Sequence, residues 1–172
     1  EEYCSAFGKA SVEIKNYLSF WESYHEKVAY NIPAGGKLSQ NPNGLYETIC
    51  SREWGSSLHP LKGHWQTQPF IYNDSIMSDA KKILDKALKV AEDKTVIKRI
   101  DFLQDGLIMV EKSAAYMEAF NNKNEVLKKI KAKALIEFND EMRKKHGYWN
   151  SKDVFFLKYW GLMGEEMDSS EM

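Results

Sequence analysis

The sequence predicts an all-α fold. Four segments carry apolar residues at spacings of three and four, which is the period of an amphipathic helix. No segment sustains the alternation of apolar and polar residues that is typical of a half-buried strand. Apolar residues make up 43% of the 172 residues, which is enough for a core without metals or disulfides. We therefore expect a bundle of four or five helices with one long crossover.

The N-terminal part predicts a short helix followed by a long one. The short helix runs from Glu2 to Phe7 and ends at Gly8. The long helix covers residues 9–30, and Ser11 is its predicted N-cap. Apolar positions on one face of this helix are Tyr17, Phe20, Trp21, Tyr24 and Val28.

Residues 31–72 hold all four prolines of the chain and five of its ten glycines. Proline removes a helical donor and glycine costs backbone entropy, so this stretch cannot be one regular helix. It also carries large apolar residues, which are Leu45, Tyr46, Ile49, Trp54, Leu58, Leu61, Trp65, Phe70, Ile71 and Tyr72. We expect a long ordered irregular meander between the first and second long helices.

Two more helices follow the meander. The first covers residues 75–92, with Asp74, Ser75 or Ser78 as its cap and a turn at Asp93 and Lys94. The second has about seven turns and an unbroken stripe of Val96, Ile100, Leu103, Leu107, Val110, Ala114 and Met117. Ile97, Ile108 and Ala115 widen that stripe and Gln104 interrupts it. Gly106 predicts a close approach of another helix.

The C-terminal part begins with a break at residues 121–124. The next helix carries Val126, Leu127, Ile130, Ala134, Leu135, Phe138 and Met142, and Gly147 is its predicted C-cap. A last short helix is predicted from Lys152 to Trp160, capped by Ser151. The tail over residues 165–172 carries four acids and is predicted to fray.

Charge and composition exclude some classes of function. The chain has 24 Lys plus Arg against 25 Asp plus Glu, so its net charge of −1 argues against a general nucleic-acid binder. The sequence contains no run of 18 apolar residues, so it predicts no membrane span. Cys4 and Cys50 allow at most one disulfide, and the sequence leaves their pairing open. The chain begins at Glu1 without a signal peptide, so we expect a single helical domain over residues 1–172 cut from a larger protein.

The best candidate binding residues lie in the meander. Trp54, His64 and Trp65 are the first choices for substrate contact, followed by Arg52 and Glu53. Exposed indoles beside polar groups suit sugar binding, because the ring stacks on the apolar face of the sugar and the polar groups bind its hydroxyls. The alternative is that Trp54 and Trp65 pin the meander onto the bundle.

Other candidate sites have ordinary structural explanations. Cys50, His59 and His64 lack the tight spacing of a metal site, so no metal or other cofactor is predicted. Paired carboxylates for glycoside hydrolysis could come from Glu47, Glu53, Glu111 and Glu118. The alternative is that these acids belong to a solvated or salt-bridged face. The lysines of residues 128–133 suggest either an anionic partner or, as the ordinary explanation, a solvated helix face. Residues 155–160 are either packed against the bundle or an exposed interface.

The opening run resembles a known helical domain. Its residues are Tyr3 to Ser11, then Ile14 to Tyr17, then Phe20, Trp21 and Glu22. They are similar to the start of a domain of unknown function that follows the barrel in bacterial glycoside-hydrolase-like proteins, which are related in layout to alpha-glucuronidases and beta-hexosaminidases. The Ala and Leu repeats from Ala80 to Ala91, and then Arg99, Leu107 and Glu111, also fit this pattern. The resemblance extends to about Asn121.

This resemblance implies an accessory domain rather than an enzyme. In that family the catalytic acids lie on the barrel, so no catalytic residue is predicted in this chain and catalysis belongs to its parent, a glycoside hydrolase. The implied partners are the catalytic barrel of the same parent chain and an oligosaccharide in its cleft. The implied location is extracellular or periplasmic. The alternative function is a protein–protein interaction bundle with no carbohydrate role, which a large exposed apolar patch on the long helices would favour.

Overall fold

The structure, a computed structural model, describes residues 2–29, 68–69 and 71–147. These ranges contain five α-helices and no strand, so the prediction of an all-α bundle of four or five helices is confirmed. Apart from residues 68, 69, 71 and 72, the meander lies outside the described residues. So do the predicted short helix from Lys152 to Trp160 and the tail over residues 165–172.

The chain divides into two compact units, one ending at Leu107 and the other beginning at Ile108. The first unit contains α1 (Glu2–Ser5), α2 (Ser11–Ala29), α3 (Asp74–Val90) and the first half of α4 (Lys94–Asn121). The second unit contains the remainder of α4 and α5 (Glu125–His146). The single domain over residues 1–172 stays a prediction.

The chain enters α2 through a 3-10 turn, Gly8–Ala10, and not through a Ser11 cap. Ser11 already has helical angles, with φ −56° and ψ −36°, so the N-cap prediction is wrong. The amide of Phe7 donates to the carbonyl of Cys4, and the amide of Ala10 donates to the carbonyl of Phe7, each at 3.0 Å. Gly8 has φ +53°, a value that favours glycine. Backbone hydrogen bonds therefore take the place of a side-chain cap.

Helix α3 packs against α2 in the first unit. Its buried residues follow the predicted spacing, and they are Met77, Ala80, Leu84 and Ala87. Ile14 on α2 and Ile100 on α4 are also fully buried. The cap of α3 is Asn73, whose Oδ1 accepts from the amide of Ile76, and not Asp74, Ser75 or Ser78. An asparagine one position earlier in the chain has the same capping chemistry, which is why the start was misplaced.

Helix α4 has 28 residues and begins at a side-chain cap. Asp93 is that cap and not only a turn residue, because its Oδ1 accepts from the amides of Thr95 and Val96 at 2.7 and 3.1 Å. The predicted stripe is buried at Val96, Ile100, Leu107, Ala114 and Met117, while Ile108 is exposed. Apart from Gly106 itself, its two neighbours in the chain and the backbone of its own helix, no described atom lies within 4 Å of the position that a Gly106 Cβ would occupy. The expected close approach of another helix is therefore wrong for the described residues.

Helix α5 has both of its ends where the sequence places them. The break after Asn121 is confirmed, and Asn124 Oδ1 accepts from the amide of Leu127 at 3.0 Å. Gly147 is the C-cap as predicted, with φ +66° and its amide donating to the carbonyl of Arg143 at 3.0 Å. Glycine can close a helix in this left-handed conformation without steric penalty, because it has no Cβ atom.

The buried face of α5 differs from the predicted one. Val126, Leu127 and Ile130 are 72, 38 and 58% exposed. The buried residues are Ala132, Leu135, Asn139 and Met142, which share a face at spacings of three and four. The predicted stripe is therefore wrong at the start of the helix, because small and polar side chains occupy part of the buried face.

Candidate functional site

An aromatic surface on α2 is the candidate site. Six rings compose it, and together we call them the Trp21 cluster: Tyr17, Phe20, Trp21, Tyr24, His25 and Tyr72. Five of them come from two turns of α2, where spacings of three and four bring side chains onto neighbouring positions. Tyr72 comes from the residues that lead into α3. The site therefore joins α2 to a segment far away along the chain.

Trp21 lies at the centre of the cluster. Its ring centroid is 5.5 Å from that of His25, with 26° between the ring planes. Tyr72 meets it edge to face at 5.9 Å and 64°. These distances fall in the range where aromatic pairs attract one another beyond the effect of their buried area. Trp21 and Tyr72 are half-buried and His25 is exposed, so part of this ring surface faces solvent.

Hydrogen bonds hold the far segment onto α2. The hydroxyl of Tyr24 donates to the carbonyl of Ile71 at 2.5 Å. The hydroxyl of Tyr72 lies 3.4 Å from Nε2 of His25. The amide of Tyr72 donates to the carbonyl of Gln68 at 2.8 Å, which forms a helical turn just before the cluster. The bond to the Ile71 carbonyl and the contact of the Tyr72 hydroxyl with His25 thus fix the orientation of the Tyr72 ring.

The hydroxyls of Tyr17 and Tyr24 are neutral at ordinary pH. Burial raises the pKa of Tyr17 above its usual value of 10, and a hydrogen bond with the side chain of Trp21 opposes part of that rise. Burial also raises the pKa of Tyr24. Each hydroxyl therefore keeps its proton and can donate it to an acceptor.

A buried acceptor lies next to the cluster in sequence. Gln68 is only 7% exposed, and its Oε1 has no hydrogen-bond partner within the described ranges. A buried polar atom without a partner costs free energy. This oxygen stands one turn before Tyr72, in the segment that carries the cluster's only residue from outside α2.

The described residues do not contain a candidate metal centre. Within these ranges no group of three His, Cys, Asp or Glu side chains is arranged to hold a metal ion. Glu111 and Glu118, two of the candidate carboxylates, are both exposed on α4. None of the helices described has the length and apolar character needed to cross a membrane. Cys4 is a half-buried free thiol.

The predicted binding residues lie outside the described part of the chain. They are Arg52, Glu53, Trp54, His64 and Trp65, and with them Cys50, His59 and Glu47. The Trp21 cluster was not predicted as a site, since Tyr17, Phe20, Trp21 and Tyr24 were interpreted only as one apolar face of a helix. A histidine four residues after a tryptophan was the available signal, because this spacing brings the two rings together on a helix surface.

Comparisons with protein-family models, curated proteins and solved structures give no match. The resemblance to the helical domain of glycoside-hydrolase-like proteins therefore stays a prediction.

Proposed function

We propose that this chain is a non-catalytic helical accessory domain of a bacterial carbohydrate-active, glycoside-hydrolase-like protein. It packs on the catalytic barrel of its parent and contributes an aromatic surface to oligosaccharide binding. The observation that supports this proposal best is the half-exposed ring surface of Trp21, His25 and Tyr72. The extracellular or periplasmic location belongs to the same proposal and depends on the resemblance.

Sugar rings match this surface chemically. A pyranose has a face of C–H groups that stacks on an aromatic ring, and an edge of hydroxyls that needs donors and acceptors. Trp21 supplies the ring, while Tyr72 and His25 supply a hydroxyl and an imidazole nitrogen 3.4 Å apart. Leu18 is 40% exposed one turn before Trp21, and it extends the apolar area.

Titration of the whole chain with oligosaccharides tests this proposal. We expect saturable binding by calorimetry, and we expect His25→Ala and Trp21→Ala to weaken it. His25 is exposed, so its removal leaves the core intact if Trp21→Ala disturbs folding. Tyr3→Ala is the matched control, because Tyr3 is a 57% exposed aromatic residue in the same unit and outside the cluster.

Two results would contradict the carbohydrate proposal. One is the absence of binding to a broad panel of oligosaccharides. The other is binding that the His25 and Trp21 variants leave unchanged. The role beside a barrel has a separate test, which is the parent's sequence before Glu1. Alternating strands and helices there would support it, and any other organisation would contradict it.

A protein-interaction bundle is the second candidate function. Val126, Leu127 and Ile130 form an exposed aliphatic surface at the start of α5. The exposed lysines Lys129 and Lys133 flank it, so the complementary partner would be an aliphatic segment bordered by acids. Ile130→Glu would abolish such binding, while Trp21→Ala would leave it unchanged.

A further inference from the structure

A groove in the second unit has the chemistry of an anion site. It lies between the second half of α4 and α5, and its volume is about 220 Å³. The residues that line it are Glu111, Lys112, Ala115, Lys131 and Ala134. Water occupies about 30 Å³ per molecule in the liquid, so the groove has room for roughly seven waters or one small organic ion.

The two lysines of the groove lack carboxylate partners. Lys112 and Lys131 are both half-buried, and neither forms an ion pair in the part of the chain that the structure describes. Other lysines of α5 are paired: Lys128 with Glu125, and Lys133 with Glu137 at 3.8 Å. Two partly desolvated ammonium groups that form no ion pair favour the entry of an anion.

An aromatic ring fixes one of these charges in place. The Nζ of Lys112 stands 5.4 Å from the ring centroid of Phe138 on the facing helix. This cation–π contact limits the rotamers of a side chain that is otherwise flexible, and it leaves the ammonium protons available to an acceptor. Because this side chain is already restricted, binding an anion there costs less side-chain conformational entropy than binding one at a free surface lysine.

We propose that this groove binds a small monoanion that carries a short apolar group. The anionic group lies between Lys112 and Lys131, and the apolar group contacts the methyls of Ala115 and Ala134. Glu111 lines the same groove, so the formal charge there is +1 and a polyanion is disfavoured. A carboxylate and a sulfate ester share this chemistry.

The test is a titration of the full-length ¹⁵N-labelled chain at low salt, followed by amide chemical shifts. Propionate and methyl sulfate are the probes, and propionamide is the neutral control of the same shape. We expect saturable shifts around residues 111–115 and 131–134 with a dissociation constant of the order of 10 mM. Tighter binding of propionate assigns the carboxylate, and tighter binding of methyl sulfate assigns the sulfate ester.

A pair of variants separates this site from general attraction to lysines. The double variant Lys112→Met and Lys131→Met keeps the apolar stems of both side chains, and it should weaken binding at least tenfold. Lys133→Met is the matched control, because Lys133 is an exposed lysine of the same helix that does not line the groove. Circular dichroism of the double variant verifies that it folds.

Three results would overturn the proposal. Propionamide could shift the same amides as propionate, which would remove the role of charge. The Lys133 variant could weaken binding as much as the double variant does. The third such result is that neither propionate nor methyl sulfate produces a saturable shift in the wild-type chain. Any one of these three outcomes rejects the site.

Discussion

Two alanine substitutions in α5 test which face of this helix is buried. Leu135 and Ile130 both belong to the apolar stripe that the sequence predicts. Leu135 is 0% exposed in the structure, whereas Ile130 is 58% exposed. The structure therefore predicts that Leu135→Ala is much more destabilising than Ile130→Ala. The apolar stripe alone predicts similar losses of stability for the two variants.

The expected magnitudes follow from these exposures. Truncation of a fully buried leucine to alanine costs about 2–5 kcal/mol, since it removes apolar contacts and leaves a cavity. At Ile130 less than half of the side chain is out of water, so the lost transfer free energy is about 1 kcal/mol. The higher helix propensity of alanine offsets several tenths of that loss. We expect the two free energies of unfolding to differ by at least about 1.5 kcal/mol.

Urea unfolding followed by circular dichroism measures the difference. Both substitutions place alanine in the interior of the same helix, so each variant is a control for the helix propensity of the other. The comparison requires the same dependence on urea in both variants, since a change in slope would indicate a different unfolded state. Equal losses, or a larger loss at Ile130, would refute the burial assignment of α5.

Further predictions concern caps, a buried phenol and two glycines. Backbone amides of α4 hold the pKa of the Asp93 carboxyl below 3.8. The carboxylate therefore stabilises the fold above about pH 4, and this contribution disappears as the pH falls through the lowered pKa. Asp93→Asn should flatten the acid part of the curve of unfolding free energy against pH. Burial raises the pKa of Tyr116 to about 12, so Tyr116→Phe should remove a step near pH 12 from a tyrosine absorbance titration and leave the steps near pH 10 unchanged. Gly147→Ala should lower the free energy of unfolding by about 1 kcal/mol, because Gly147 has φ +66°. Gly106→Ala should raise it by roughly 0.5–1 kcal/mol, because Gly106 lies in a helix interior with open space around it. Thermal unfolding compares the two variants.

The existence of the long helices was predictable because their signals are local. Apolar spacing located all four, and the glycine at the end of α5 was recognised from its position after a run of basic residues. Capping was less predictable. Asn73 and Asp93 lie among several residues that have the same capping chemistry, and only the geometry of the first turn selects one of them.

Burial was less predictable than secondary structure because it depends on the packing partners. The hydrophobic stripe of α5 included Val126 because valine is apolar, yet this side chain is 72% exposed. Asn139 is 1% exposed, although it was not in the predicted stripe. Which side of a helix is covered depends on neighbouring elements, and a helical period does not contain that information.

The candidate site combines a local and a non-local signal. Trp21 and His25 are four residues apart on one helix, so their ring contact follows from helical geometry. Tyr72 lies 47 residues after His25 in the chain and contacts it on the same surface. The sequence alone does not pair these two residues. The predicted residues Arg52, Trp54 and Trp65 stay predictions.

The bond between Tyr24 and Ile71 explains why the site depends on the fold. This bond and the Tyr72–His25 contact are the described hydrogen-bond contacts between α2 and the segment that enters α3. Tyr24 donates only while its hydroxyl keeps its proton, and burial raises its pKa above the usual value of 10, so the link is intact at neutral pH. Because the link acts on the backbone of Ile71, it positions the next residue, Tyr72, without using any polar group of Tyr72 itself. The Tyr72 hydroxyl and the His25 ring consequently remain together on the half-exposed face, where a sugar hydroxyl of the proposed ligand would reach both.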